Sequence, residues 1–277
     1  MTTTVIALAL FAAVLHATWN AFLRSGADRL WTVTVMSLSM AVVAVPLALV
    51  FPLPLPAAWP YLFFSSCLQV GYSVFLVSAY RHGELGQVYP IVRGSVPLLV
   101  TLGGLAFAGE HLSPGSAIGV ALVAIGIMSL SLGRTRASTA SILFALLTGL
   151  FIAAYATVDA IGVRLSGNAR SYAIWIFLIY GILMTATFML MRGRLRADIG
   201  SPETWTAIGG GMVSLVAYGA VIAAFTLGPA GPITALRETS VVFAVLIGRV
   251  FLGEALTMKR IVACVIVAGG AICLGVS

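Results

Sequence analysis

The chain has 277 residues, of which 61% are hydrophobic and only 8% charged, where a soluble domain carries about 25% charge. This excludes a water-soluble enzyme or binding domain for most of the sequence. The net charge of +7 does not argue for nucleic-acid binding, because the basic residues are scattered through short polar stretches with no basic face among them.

Apolar runs recur from end to end, each about twenty residues long, the length that crosses a hydrocarbon core about 30 Å thick. They predict helices near 4–23, 31–52, 58–80, 87–109, 115–133, 139–163, 171–191, 204–226, 232–252 and 260–276. The N-terminal MTTTVIALALFAAVLHA ends on small residues as a signal peptide would, but it lacks a basic leading region. Its match to a later segment (below) makes it a retained first span. Short connections separate the runs: SGADR after the first, the proline-rich FPLPLPAAWP between second and third, and GPAG before the ninth. Proline and glycine clusters of this kind end helices. The longest polar stretch, MRGRLRADIGSPET after the seventh run, is still only a loop. Cys67, Cys264 and Cys273 lie inside apolar runs without Cys-x-x-Cys spacing, so neither a disulfide framework nor a zinc site is expected.

Basic residues test this parsing. Loops after odd-numbered spans hold ten: Arg24, Arg29, Arg81, Arg134, Arg136, Arg192, Arg194, Arg196, Lys259 and Arg260. Loops after even-numbered spans hold two, Arg164 and Arg170. A wrong span count would scramble such an asymmetry. By the positive-inside rule it predicts a multi-pass inner (plasma) membrane protein with both termini outside.

The sequence also repeats itself. At a constant offset of 144, Arg93 falls on Arg237, Gly109-Glu110 on Gly253-Glu254, Leu112 on Leu256 and Gly126 on Gly270. The first span matches the sixth at an offset of 139, Ala17-Thr18-Trp19-Asn20-Ala21 against Ala156-Thr157-Val158-Asp159-Ala160. Five spans per copy is an odd number, so the second copy enters the membrane inverted. The expected fold is all-α: ten transmembrane helices as two inverted five-helix repeats, 1–133 and 139–277, around a central cavity. Many secondary transporters share that plan, with the substrate held near the midplane.

LHATWNAF in the first span, YPIVRGSVPLL in the fourth, ALRETSVVFAVLIGRVFLGE in the ninth and the repeated Gly-Glu together resemble an EamA-type member of the drug/metabolite transporter superfamily. The resemblance covers essentially the whole chain and implies secondary or facilitated transport without nucleotide hydrolysis. It also implies cytoplasmic termini, against the charge count.

Charges inside spans are costly and are functional candidates by default. Arg93 and Arg237 are predicted near opposite faces, straddling the midplane. His16 with Asn20, and Tyr155 with Asp159, are matched pairs one helical turn apart. Gln69, Tyr72, Ser73 and Tyr80 form one stripe on the third span. The candidate substrate-binding set is therefore His16, Asn20, Gln69, Tyr72, Tyr89 and Arg93 in the first half, and Tyr155, Asp159, Tyr218, Arg237 and Glu238 in the second. Asp159 is the expected partner of Arg237. Glu238, about 100° around the helix from Arg237, needs another partner, a proton or water. Two readings stand side by side. In one, the arginines grip a carboxylate or phosphonate while Asp159 or Glu238 takes a substrate ammonium or a coupling proton. In the other, Arg237–Asp159 is a structural ion pair and Arg93 bonds helix-end carbonyls. Glu110 and Glu254 are expected to fix turns, and the glycines at 103–104 and 209–211 to permit close packing.

There is no His-Glu-x-x-His, Gly-x-Ser-x-Gly or Walker A motif, and Lys259 is the sole lysine. An enzyme, a primary pump, a metal and a cofactor are thus not expected. The expected function is secondary or facilitated transport of a small polar metabolite, an amino acid or related zwitterion or anion, by alternating access. The alternative is a flippase or carrier for a lipid-linked sugar or sugar phosphate. The expected partners are that substrate, the bilayer and a coupling proton.

Overall fold

The computed structural model of the protein describes residues 1–25, 28–82, 85–131, 139–252 and 257–276, with all their side chains except those of 19–25, 77–82, 85–89, 141, 247–248 and 250–252. The described residues contain no strand. They form α1 (Thr3–Ser25), α2 (Arg29–Val50), α3 (Trp59–His82), α4 (Leu85–Phe107), α5 (Pro114–Ser129), α6 (Thr139–Leu165), α7 (Ala169–Arg192), α8 (Pro202–Phe225), α9 (Ala230–Glu238), α10 (Ser240–Leu252) and α11 (Met258–Val276).

Helix starts follow local chemistry. Asp28 and Asn168 accept hydrogen bonds from the first backbone N–H groups of α2 and α7. Ser113 and Ser201 do the same for α5 and α8, each followed by a proline in the first turn, where its missing N–H costs nothing. FPLPLP, which cannot continue a helix, runs extended into a short 3-10 turn at Pro56–Ala58.

Six described stretches are long and apolar enough to cross a membrane: Arg29–Val50, Pro90–Phe107, Ile142–Leu165, Ala169–Arg192, Pro202–Phe225 and Met258–Val276. Thr3–Thr18 and Pro114–Ser129 are apolar but shorter. The outer faces carry exposed Leu49, Leu102, Leu190 and Val265, as expected of a surface that lipid covers. The predicted ninth span is not one helix. It breaks at Thr239, whose N–H bonds back to Leu236 and whose carbonyl accepts from Val242. Both are tight three-residue links, which often mark a functional hinge.

The packing is paired. α2 lies against α7 and α5 against α11; α3 lies on α6 as α1 lies on α8; α4 packs on α6, and α9 with α10 on α1. Bonds between loops also sort by end. At one end Trp31 Nε1 donates to the Arg196 carbonyl at 2.8 Å, and Arg192 pairs with Asp28 at 3.3 Å. At the other the Leu55 N–H donates to the Ser166 carbonyl at 3.1 Å.

Glycines make the α5–α11 seam. A Cβ on Gly126 would stand 2.7 Å from Val267 Cγ2, and one on Gly270 would stand 2.8 Å from the Gly119 carbonyl oxygen. The matched pair Gly126 and Gly270 is therefore a packing device. Gly211 likewise lies against the Met36 backbone of α2, and Gly103 against Thr157, whereas Gly209 faces open space. We expect Gly126→Leu to lower the thermal stability of detergent-purified protein, by about 1–3 kcal/mol for an overpacked contact. Gly209→Ala should leave the melting temperature unchanged or slightly raised.

Candidate functional site

α4 begins at Leu85 and α9 at Ala230, eight and seven residues before Arg93 and Arg237. That places each arginine about 10–12 Å along its helix at about 1.5 Å per residue. The two guanidinium groups do not stay apart across the midplane. Both reach one carboxylate oxygen, Glu238 Oε1: Arg237 Nη2 at 2.8 Å and Arg93 Nη1 at 3.3 Å. Arg237 and Glu238 leave the last turn of α9 about 100° apart, yet their long side chains bend together, so the expectation that Glu238 needs a partner other than Arg237 is corrected. All three are buried, with Glu238 0% exposed. Among the described residues, Arg237 Nε and Glu238 Oε2 make no hydrogen bond.

The expected Arg237–Asp159 pair is therefore a correction. Asp159 is fully buried, and its two oxygens accept from Tyr172 at 2.8 Å and Tyr218 at 2.5 Å, with the Ser65 hydroxyl beside them. Three hydroxyl dipoles, rather than an arginine, stabilise this carboxyl. Arg93 has Glu238 as an ion-pair partner, which the helix-end-carbonyl alternative did not include.

These groups border a cavity among α1, α2, α3, α4, α6, α7, α8 and α9, of about 820 Å³ counting its open mouth. Of the expected set, His16, Gln69, Tyr72, Arg93, Tyr155, Tyr218 and Arg237 line it. Asp159 lies behind Tyr218, and Glu238 behind the arginines. Asn20, Tyr80 and Tyr89 lie outside the described side chains. Tyr72, Tyr155, Tyr218 and Phe177 form a row of rings with centroids 6.0, 6.0 and 6.3 Å apart. Sequence reasoning missed the α2 and α7 walls, Met36, Met40, Phe177 and Tyr180. The spacings Met36–Met40 and Phe177–Tyr180 place each pair on one helix face, but apolar side chains in an apolar helix carry no distinguishing signal. Ser73 donates to the Gln69 carbonyl and shares a hydrogen bond with Tyr180 at 3.1 Å.

A second polar junction lies at the start of α9. The Glu110 carboxylate accepts the Ala230 N–H at 3.0 and 2.9 Å, and Arg164 Nη2 donates to it at 2.7 Å. Arg164 also donates to the Phe225 and Gly228 carbonyls at 3.1 and 2.9 Å, where α8 ends. Each charge sits at the helix end of complementary sign. Glu110 thus ties three segments rather than only turning a hairpin. Gly109 supplies the turn with φ +60°, and Gly104 leaves room for the carboxyl. Gly253, Glu254 and Leu256 lie outside the described residues.

Buried charges balanced inside a bundle with apolar outer faces define a multi-pass membrane protein with a polar interior. The chain belongs to the EamA-like transporter family, whose sequence pattern matches twice, over residues 3–132 and 139–276. It is accordingly a membrane transporter of small molecules rather than a member of an enzyme family. Twenty-eight solved chains match it. One, titled only "Crystal structure of protein", superposes with TM-score 0.78 at 19% identity, covering 99% of this chain and 96% of that one; at this identity the likeness is one of fold. No curated protein matches the sequence.

Tyr172 is fully buried and spends its hydroxyl on Asp159. We expect Tyr172→Phe to destabilise the purified protein by about 1–3 kcal/mol, the cost of leaving a buried acceptor short of a donor. A thermal melt checks this, and pairing the change with Asp159→Asn should recover part of the loss.

Proposed function

We propose that the protein is a secondary or facilitated transporter of a small amino acid or related zwitterion or anion, working by alternating access. The observation that carries this reading is the convergence of Arg93 and Arg237 on one carboxylate at a helix break, bordering a cavity ringed by both halves of the chain. Arginine's planar fork suits a carboxylate or phosphonate. The tyrosine row beside it suits the body of a small metabolite rather than a long polymer.

The architecture we infer is ten spans in two inverted units of five, 1–133 and 139–277, with α9 and α10 together as one broken span. The paired packing supports it: exchanging each helix for its repeat mate turns α3–α6 into α8–α1 and leaves α2–α7 and α5–α11 as they were. The loop–loop bonds agree, since each joins ends that this topology puts on one side. Charge counting puts the loops after odd-numbered spans in the cytoplasm of the inner membrane, with both termini outside. A C-terminal reporter fusion should be active outside the cytoplasm, and activity only inside would reverse the orientation.

A second reading, a carrier for a lipid-linked sugar or sugar phosphate, has one observation in its favour. An apolar recess between α2, α7 and α8, with Leu47, Phe51, Ile174 and Leu215 in its wall and Arg170 among its lining residues, shares Phe177 with the cavity. Purified protein screened by thermal shift against amino acids, phosphonates and sugar phosphates separates the two. We expect a small zwitterion or anion to stabilise the wild type and to lose at least about tenfold in affinity, about 1.4 kcal/mol, in Arg237→Ala. A hit indifferent to that change would overturn the arginine grip.

A further inference from the structure

We propose that Glu238 is the proton-carrying group of the transport cycle: it pairs with Arg93 and Arg237 while the cavity is unloaded, and takes up one proton when an anionic group of the substrate replaces it. This rests on the arginine-grip reading above and adds the coupling to it.

The geometry selects Glu238 over Asp159. Asp159 is held by tyrosine hydroxyls from α7 and α8 and meets neither arginine. Glu238 Oε1 occupies the donors an incoming carboxylate needs, while Oε2, buried, has no donor among the described residues. Two guanidinium groups against one carboxylate leave the cluster at +1, which favours a second anion. Yet two carboxylates sharing one pair of arginines repel each other, and one of such a pair readily holds a proton. Glu238 is 0% exposed, so turning its arginines to substrate removes the partners that offset its burial. An ionised carboxylate stranded there would be strongly penalised. Proton uptake removes the penalty: an O–H bond forms at Oε2, the glutamate becomes neutral, and the arginine N–H groups pass to the substrate.

Among the described side chains, Arg237 on its own helix, Arg93 on α4 and Tyr155 on α6 act on Glu238 directly, and His16 on α1, Asp159 on α6 and Tyr218 on α8 surround these groups. α5 contains no titratable residue, and the charges of α11, Lys259 and Arg260, stand at its start. His16 is the one other group here whose ordinary titration falls near neutrality, so it must be separated from Glu238.

Calorimetric titration with glycine, taurine and methanesulfonate tests the proposal, because these probes keep their charges between about pH 5.5 and 8. Each is run in two buffers of different ionisation enthalpy, on wild type, Glu238→Gln and His16→Asn. We expect the wild type to take up about one proton per bound probe and to bind about tenfold tighter per unit fall in pH; His16→Asn, which alters the cavity wall and so the affinity, should keep the same proton count. Glu238→Gln, neutral at every pH, should take up none and bind with a flat profile at the tight limit. Should that variant misfold, the wild-type proton count still decides: binding without proton uptake overturns the proposal and leaves the arginine grip standing. Uptake that persists in Glu238→Gln, or disappears in His16→Asn, overturns it equally. Wild type that binds no probe while Arg237→Ala matches it removes the grip itself, and this proposal with it.

Discussion

Everything at the centre of this molecule is arranged around a problem of charge in a medium without water. Two arginines, 144 positions apart in the chain, are brought into a bundle whose outer surface is hydrocarbon. Neither can stay there unpaired, since an uncompensated buried charge typically costs about 3–5 kcal/mol. One glutamate answers both. The bond therefore does more than orient a side chain: it ties α4 of one half to the last turn of α9 in the other, just before the break at Thr239. The buried pair and the cavity wall it borders answer to one electrostatic constraint.

Two further features keep the halves in register while leaving the centre adaptable. The α5–α11 seam is close because glycines let backbones approach, and it carries no charge to be rearranged. The Glu110–Arg164 junction is the opposite kind of contact, polar and partly exposed, with side-chain exposures of 8% and 32%. The first resists separation through many weak dispersion contacts. The second joins a partly exposed arginine to a largely buried carboxylate that also holds the Ala230 N–H. A close apolar seam and a polar junction thus hold the same bundle by different means.

Much of this was legible before any coordinates. Lipid demands apolar runs of fixed length, so helices such as Ala169–Arg192 could be placed within two or three residues. The arginine and glycine matches between the two halves also stand out against an apolar background. The misses share a cause. Nothing in ALRETSVVF, which has neither glycine nor proline, signals a helix break. Spacing along a helix says which side chains share a face, yet not what faces them from elsewhere, so Asp159 was given to Arg237 instead of to Tyr172 and Tyr218. Met36, Met40 and Phe177 were overlooked because an apolar residue turned toward a cavity reads the same as one turned toward lipid.

The placement of Glu238 beside Arg237 bears on how such a carrier returns to its starting state. A site built from arginines alone would be frozen when empty, obliged to wait for one anion before releasing its grip on another, and could only swap cargo for cargo. A site that carries its own carboxylate keeps both arginines paired without cargo. In the alternating-access cycle proposed above, its unloaded form could then cross between two orientations, and net flow down a gradient would be open to it.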